Sequence, residues 1–132
     1  MFIIRDISDY TELEYCIQLA IDQTTGMYFD IDPSYVLNRA YTLLKIGSMF
    51  KVIEYNREIV AWGGAKIVSS GLYCKKPEVI QLIYQTKVKG ILAVRSLILF
   101  QRAMIEYAIE HNVGVCVASS MMDNYKTFNK VL

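Results

Sequence analysis

A strand, a short basic loop and a helix meet in the stretch Tyr84-Gln85-Thr86-Lys87-Val88-Lys89-Gly90-Ile91-Leu92-Ala93. Val, Ile and Tyr are frequent from Glu78 to Thr86, which predicts the strand, and apolar residues then recur at helical spacing from Gly90 to Glu110. A helix start exposes unpaired N–H groups with a partial positive charge, which an acidic or capping side chain normally offsets. The first turn, Gly90 to Val94, contains no Asp, Glu, Ser or Thr. This helix start therefore lacks its usual local compensation.

Three cations surround the same helix start. Lys87 and Lys89 precede it, and Arg95 lies on the second turn. Cations at this end of a helix are unfavourable unless an anion is bound, so the local charge predicts a phosphate or pyrophosphate site. A plain connection with solvated lysines explains the same residues, and the local charge alone leaves the two interpretations about equal.

The chain before this stretch predicts one strand, two helices and a hairpin. Phe2 to Arg5 form the strand, and Asp9 with Glu12 resembles a capping box for the first helix. The second helix follows Asp32 and Pro33 and ends at Gly47. The period then changes to two, with a turn at Asn56-Arg57-Glu58, and Gly63-Gly64 predicts a bulge or the close approach of another backbone or a ligand.

The chain after this stretch predicts a strand and a last helix. Val113 to Ala118 is a short apolar run typical of a buried strand, and Asp123 can cap a helix that contains Tyr125 and Phe128. The order of elements indicates an α/β or α+β fold around a mostly antiparallel sheet flanked by helices.

Composition limits the classes of protein to consider. The chain has 132 residues, 54% of them hydrophobic and 20% charged, which fits one globular domain over residues 1–132 and excludes a disordered protein. A net charge of +1 argues against general nucleic-acid binding. The sequence shows neither a membrane span nor a signal peptide, and the three scattered cysteines fit a reducing compartment, so a cytoplasmic location is expected.

With the order of its elements and its basic loop, the chain resembles the GCN5-related N-acetyltransferase (GNAT) family over nearly its whole length. In that family an Arg/Gln-x-x-Gly-x-Gly/Ala loop opens the main helix and binds the pyrophosphate of acetyl-CoA. Lys87, Gly90 and Leu92 occupy the motif positions here, so Lys87, Val88, Lys89, Gly90, Ile91, Leu92 and Ala93 are the expected pyrophosphate-binding residues. The resemblance also implies that the backbone of Leu82, Ile83 and Tyr84 pairs with the pantetheine arm, facing Val117 to Ser119. Ordinary sheet core explains Leu82, Ile83 and Tyr84 as well.

The resemblance also implies an acid and a base. Glu78, at the start of the strand before the loop, is the candidate base, and Tyr125 in the last helix is the candidate acid, although a structural tyrosine is the alternative. Tyr28 and Trp62 are candidate acceptor-site residues because substrates of the family often lie near the hairpin. His111 is the only histidine, and no metal site is expected.

An acetyl-CoA-dependent transferase acting on an unidentified amine is thus the first functional interpretation. A non-catalytic protein of the same fold is the second, and an unrelated α/β binding module is the third. Asn124 and Phe128 give a weaker resemblance to small acetyltransferase-like proteins of bacteriophages, which would place the protein in the host cytoplasm. Family members usually carry one or two further strands after the last helix. Their absence leaves open a minimal member, missing residues, or a partner chain, such as a second copy in a homodimer, that completes the sheet.

Overall fold

A computed structural model describes residues 1–23, 31–69 and 76–115 of the chain. The elements in these ranges are, in chain order, β1 (Phe2–Asp6), α1 (Tyr10–Gln23), α2 (Pro33–Lys45), β2 (Met49–Tyr55), β3 (Glu58–Val68), β4 (Glu78–Thr86), α3 (Ile91–Glu110) and β5 (Gly114–Val115). The structure confirms the predicted bounds of β4, and it begins α3 one residue after Gly90. The predicted last helix, and the predicted strand beyond Val115, lie outside the described residues.

One five-stranded sheet has the order β1-β2-β3-β4-β5. The first three pairings are antiparallel, and β5 is parallel to β4. This arrangement confirms the predicted mixed fold with a mostly antiparallel sheet. The β2–β3 turn has positive φ at both Asn56 and Arg57, the geometry that matches the twist of a two-residue hairpin.

The helix boundaries follow from the capping residues that the sequence predicts. The Glu12 N–H donates to Asp9 Oδ1 at 2.8 Å, and the Glu12 side chain reaches back to accept from the Ser8 N–H at 2.9 Å. Asp32 caps α2 by accepting from the Ser34 and Tyr35 N–H groups. Gly47, with φ of 93°, follows the end of α2, where a positive φ lets the last carbonyls find donors.

Helices cover both faces of the sheet and create two cores. On one face, α1 and α2 contribute Leu13, Ile17 and Leu43 to a cluster that includes Phe50 and Trp62 of the sheet. On the other face, α3 contributes Phe100 and Met104, which belong to a cluster with Ile53, Ala65 and Val79. Within the described ranges, no helix has the length and hydrophobicity needed to cross a membrane.

A β-bulge interrupts the pairing of β3 with β4. Gly64 lies opposite Ile83, but the next residue, Ala65, lies opposite Gln81, so Leu82 is the extra residue. Side chains of a regular strand alternate between its two faces, so Val79 and Tyr84, five positions apart, would lie on opposite faces. Both instead belong to the α3 side, whereas Ile83 packs on the α1–α2 side, because the bulge shifts the alternation. The bulge predicted for Gly63-Gly64 is therefore present at this point of the sheet.

The Arg5–Glu12 ion pair joins β1 to α1 and gives the fold a predictable pH dependence. Arg5 Nη1 and Nη2 each donate to a Glu12 oxygen at 2.7 Å, and these hydrogen bonds lower the pKa of Glu12 from 4.5 to about 2. Because this pKa is depressed in the folded state, the pair stabilises the protein fully above about pH 4.5 and progressively less as the pH falls toward 2.

We expect Glu12→Gln to lower the free energy of unfolding at pH 7 by about 1–2 kcal/mol. The expected loss is small because Arg5 is partly exposed, and solvent weakens the interaction of the two charges. Urea unfolding at pH 7 and pH 3 measures the difference, which should shrink at the lower pH. Glu14→Gln, on the exposed face of the same helix, is the control and should change stability little. A Glu12→Gln deficit that is equal at both pH values would contradict the role of the ionised pair.

Candidate functional site

The start of α3 has no side-chain cap. Gly90 is its N-cap, with φ of 68° and ψ of −141°, a conformation that is accessible mainly to glycine. No side chain caps this end, no acid lies in the first turn, and a Cβ added at Gly90 would meet nothing within 4 Å. The Val94 N–H donates to the Gly90 carbonyl, whereas the N–H groups of Ile91, Leu92 and Ala93 make no hydrogen bond within the described part of the chain. The helix start therefore has N–H donors without a partner among the described residues.

The loop that leads to this helix is fixed by hydrogen bonds from both sides. The Lys87 N–H donates to the Val60 carbonyl at 2.7 Å, and the Val88 N–H donates to Thr86 Oγ1 at 3.2 Å. From α1, Gln23 Nε2 donates to the Thr86 carbonyl at 3.3 Å. Since Val88 already uses its N–H, the donors left for a ligand run from Lys89 to Ala93.

The lysines of the loop have different surroundings. Lys87 Nζ donates to Tyr15 Oη at 3.0 Å and lies 5.7 Å from the centre of the Tyr15 ring. Lys89 and Arg95 are exposed beside the helix start. The structure thus ties the Lys87 ammonium to α1 and leaves two further cations near the unpaired N–H groups.

The pairing of β4 with β5 is short within the described residues. The pairing of β4 with β5 covers only Glu78 with Gly114 and Val79 with Val115. From Ile80 to Thr86, no described strand lies on that side, and this segment contains Leu82, Ile83 and Tyr84. The described pairing of β4 with β5 therefore does not reach Leu82, Ile83 and Tyr84, and their pairing with the pantetheine arm stays a prediction.

The side chain of Tyr84 joins β4 to α3. Its ring packs against Phe100 with centroids 5.5 Å apart, and Tyr84 Oη donates to the Ala93 carbonyl at 3.4 Å. Burial raises the pKa of Tyr84, so the hydroxyl stays protonated at neutral pH. This contact holds the first turn of α3 on the strand and leaves the backbone of Tyr84 as the part available to a ligand.

Glu78 lies at the far end of β4 from the loop. Its side chain is 5% exposed, where β4 and β5 still pair. Eight residues separate Glu78 from Thr86, which corresponds to about 26 Å along a strand. The role of Glu78 as a base stays a prediction, and any amine that it serves must lie at the start of β4 rather than near the loop.

Trp62, a candidate acceptor-site residue, is buried in the core of the domain. The ring is 1% exposed and packs in the core beneath α1 and α2, because this large apolar side chain points to the interior face of β3. Its Nε1 has no hydrogen-bond partner in the described structure, and the same is true of Oε1 of Gln85, which lies opposite Trp62 in the sheet. The role of Trp62 at an acceptor site stays a prediction. The other acceptor candidate, Tyr28, and the candidate acid Tyr125 lie outside the described residues.

Sequence reasoning missed the contribution of α1 and β3 to the site. Tyr15 and Gln23 lie 72 and 63 residues from the loop residues that they contact, and Val60 accepts from the loop backbone. Tyr15 carries a weak signal, since it is a half-exposed aromatic residue on an otherwise polar helical face. Neither Gln23 nor Val60 carries a signal in the sequence, because their roles depend only on tertiary contact.

Comparison with known proteins supports the fold. No protein-family model and no curated protein matches the sequence. One similar solved structure is a predicted acetyltransferase from Clostridium acetobutylicum, crystallised with acetyl-CoA. It is 17% identical in sequence, and the match has a TM-score of 0.70 and covers 97% of this chain and 88% of that protein. A second is glucosamine-6-phosphate N-acetyltransferase from Arabidopsis thaliana, which is 17% identical in sequence. This match has a TM-score of 0.61 and covers 98% of this chain and 89% of that protein.

A third similar structure comes from an uncultured soil metagenomic sample. This aminoglycoside acetyltransferase, in complex with sisomicin, is 15% identical with a TM-score of 0.59, and the match covers 99% of this chain and 84% of that protein. At such identities the likeness concerns the fold. The mixed sheet, its flanking helices and the solved structures that share them together show that the chain has the GNAT acyltransferase fold.

Proposed function

We propose that the protein is an acetyl-CoA-dependent N-acetyltransferase that transfers an acetyl group to an amine. The observation that carries the proposal is the start of α3 directly after β4, which has no side-chain cap and no acid in its first turn. In this proposal the N–H groups from Lys89 to Ala93 bind the pyrophosphate of coenzyme A, and the backbone of Leu82, Ile83 and Tyr84 pairs with the pantetheine arm. The acetyl-CoA in the similar Clostridium acetobutylicum structure supports the same ligand.

The chemistry requires one base and one acid. The neutral amine nitrogen attacks the thioester carbonyl carbon, a C–N bond forms, and the C–S bond breaks. The nitrogen loses a proton to the base, and the sulfur gains one from the acid. We assign these roles to Glu78 and Tyr125, the candidates nearest to the family pattern, with the acceptor amine within reach of Glu78.

A catalytically inactive protein of the same fold is the alternative. Leu92 favours it, because a bulky residue stands where the related loop carries glycine or alanine. The buried position of Glu78 also favours it, since a base must exchange protons with the acceptor. In this case the protein still binds coenzyme A but turns over no thioester.

Calorimetric titration with acetyl-CoA, followed by a thiol-release assay, separates these functions. The assay panel consists of amino sugars, aminoglycosides, polyamines and peptides, because two of the similar structures are an amino-sugar and an aminoglycoside acetyltransferase. We expect acetyl-CoA binding and turnover with at least one amine, with Glu78→Gln and Tyr125→Phe lowering kcat while the affinity for acetyl-CoA is kept. Binding without turnover supports the inactive alternative, and absence of binding at millimolar acetyl-CoA overturns both functions.

Lys87→Ala tests whether the basic loop contributes to binding. We expect about a tenfold weaker affinity for coenzyme A, since the change removes an ammonium group from the phosphate end of the site and frees the loop from Tyr15. The salt dependence of the dissociation constant should also decrease. Calorimetry at two salt concentrations measures both effects.

Lys45→Ala is the matched control for Lys87→Ala. Lys45 also lies over a tyrosine ring, 5.2 Å from the centre of Tyr41, but belongs to α2. Its replacement removes the same charge and the same kind of ring contact away from the loop, so the affinity should stay within about twofold of wild type. Equal losses in the two variants would show that overall charge, rather than the loop, governs binding.

A further inference from the structure

The outer edge of β1 is unpaired within the described part of the chain. β1 comes first in the strand order, so only one of its edges pairs, with β2. The Ile7 N–H donates to the Phe50 carbonyl, and the hydrogen bonds of an antiparallel pair alternate along each strand. The backbone groups of Phe2, Ile4 and Asp6 therefore point away from β2, and their N–H groups have no hydrogen-bond partner among the described residues.

This edge lacks the features that keep edge strands from pairing with another chain. Natural edge strands often carry a lysine, a proline or a bulge for this purpose. The pairing of β1 with β2 is regular, without a bulge, and Phe2-Ile3-Ile4 contains neither a charge nor a proline. The Ile3 side chain is also 50% exposed. The first half of β1 is thus an apolar edge that a further strand can extend.

The charges at the two ends of β1 favour an antiparallel partner. Asp6 and two glutamates of α3 line one hollow, where Lys51, paired with Asp6, is the only lysine or arginine. The other end of β1 lies beside the β2–β3 turn, where Arg57 and Glu58 are both exposed and their charges cancel. Pairing of two copies in parallel would bring their acidic ends together, whereas antiparallel pairing separates these ends and brings each Arg57 toward the acidic end of the other copy.

We propose that the protein forms a dimer in which the β1 strands of two copies pair antiparallel about Ile4 and join the two sheets. In this register Ile4 exchanges both backbone hydrogen bonds with Ile4 of the second copy, and Phe2 exchanges its bonds with Asp6 at each end. The Asp6 carbonyl already accepts from Arg5 Nη1 at 3.2 Å, and a carbonyl oxygen can accept a second hydrogen bond. Ile3 and Ile4 then lie nearest the two-fold axis, with the charged residues farther out, as in other protein interfaces.

The size of this interface sets the expected affinity. β1 has five residues, whereas a standard interface uses about 20–30 residues from each partner. The dimer should therefore be weak, with a dissociation constant in the range of about 10–100 µM. It does not involve the start of α3, because β2 and β3 separate β1 from β4.

Sedimentation equilibrium of the full chain from about 1 to 500 µM tests the proposal, and wild type should pass from monomer to dimer over this range. Ile3→Lys should raise the dissociation constant at least about tenfold, because it places like charges beside the two-fold axis. The Ile3 side chain is half-exposed, so the variant should fold normally, which circular dichroism verifies. Ile109→Lys is the control: the same change at a 73% exposed position of α3 should leave the dissociation constant within about twofold of wild type.

Hydrogen exchange measured by NMR at low and high protein concentration locates the interface. The Ile4 N–H should become protected as the concentration rises, whereas the N–H groups of Ile3 and Arg5, which face β2, should be protected at every concentration. Gly90→Asp should dimerise like wild type, so the dimer can form even when the proposed acetyl-CoA site fails. A wild type that stays monomeric at the highest concentration, equal weakening by the two lysine variants, or an Ile4 exchange rate that is independent of concentration would overturn the proposal.

Discussion

Gly90→Asp should weaken coenzyme A binding by about a hundredfold or more, the largest functional effect that we expect. Gly90 is the N-cap of α3 in a conformation that side chains rarely adopt, so any replacement strains the loop that positions the N–H donors. An aspartate also places a negative charge within a few ångströms of the expected phosphates, which costs roughly 1–4 kcal/mol at the dielectric constants of a protein surface. Calorimetric titration with coenzyme A measures the loss.

Gly90→Asn separates the charge from the strain. Asparagine has nearly the same shape as aspartate and carries no charge, so both variants distort the loop to a similar extent. Gly90→Asp should bind coenzyme A at least about tenfold more weakly than Gly90→Asn, and the gap should narrow as salt is added. If the two variants bind equally, the start of α3 does not face a phosphate, and the proposed function loses its main support.

The elements that local sequence determines were predictable. The start of α3 at Gly90, the caps at Asp9 and Asp32, and the bounds of β4 each depend on residues within a few positions of one another. For the same reason the sequence could identify the uncapped helix start. Hydrogen bonds, caps and glycine conformations at this range have strong residue preferences, and a single sequence displays them.

The parts of the site that depend on tertiary contact were not predictable. The contact of Lys87 with Tyr15 joins residues far apart in sequence, and an isolated tyrosine on a helix does not reveal its partner. The glycine pair on β3 predicted a bulge at this level of the sheet, but nothing in the run from Glu78 to Thr86 indicates that the extra residue is Leu82 of β4. Trp62 was assigned to the acceptor site because of its position near the hairpin, but only the packing of α1 and α2 shows that it is buried.

Gly63→Ala and Gly64→Ala should each destabilise the fold by about 1–3 kcal/mol or more, the largest stability effects that we expect. A Cβ at Gly63 would lie 2.6 Å from the Phe100 ring and 2.9 Å from the Ile83 carbonyl oxygen, and a Cβ at Gly64 would lie 2.7 Å from the Phe50 ring. The two glycines thus let aromatic side chains from opposite faces of the sheet approach β3 at the same level. The sequence predicted a bulge or the close approach of another backbone or a ligand here, and the approach of these rings was not part of that prediction. Chemical denaturation of both variants measures the loss.

Double-mutant cycles then distinguish the two clashes. Phe50→Leu should recover much of the stability lost in Gly64→Ala, because the three atoms nearest to that Cβ all belong to the Phe50 ring and a smaller side chain removes them. Phe100→Leu should recover less in Gly63→Ala, because the Ile83 carbonyl belongs to the β4 backbone and cannot retreat without disturbing the β3–β4 pairing beside the bulge. Gly63→Ala should therefore also displace the part of β4 proposed to pair with pantetheine and so weaken coenzyme A binding. Gly64→Ala should leave coenzyme A affinity unchanged in the fraction of protein that stays folded. Equal recovery in the two cycles, with equal coenzyme A affinity, would show that β4 tolerates the added methyl group and that the glycine at position 63 serves ring packing alone.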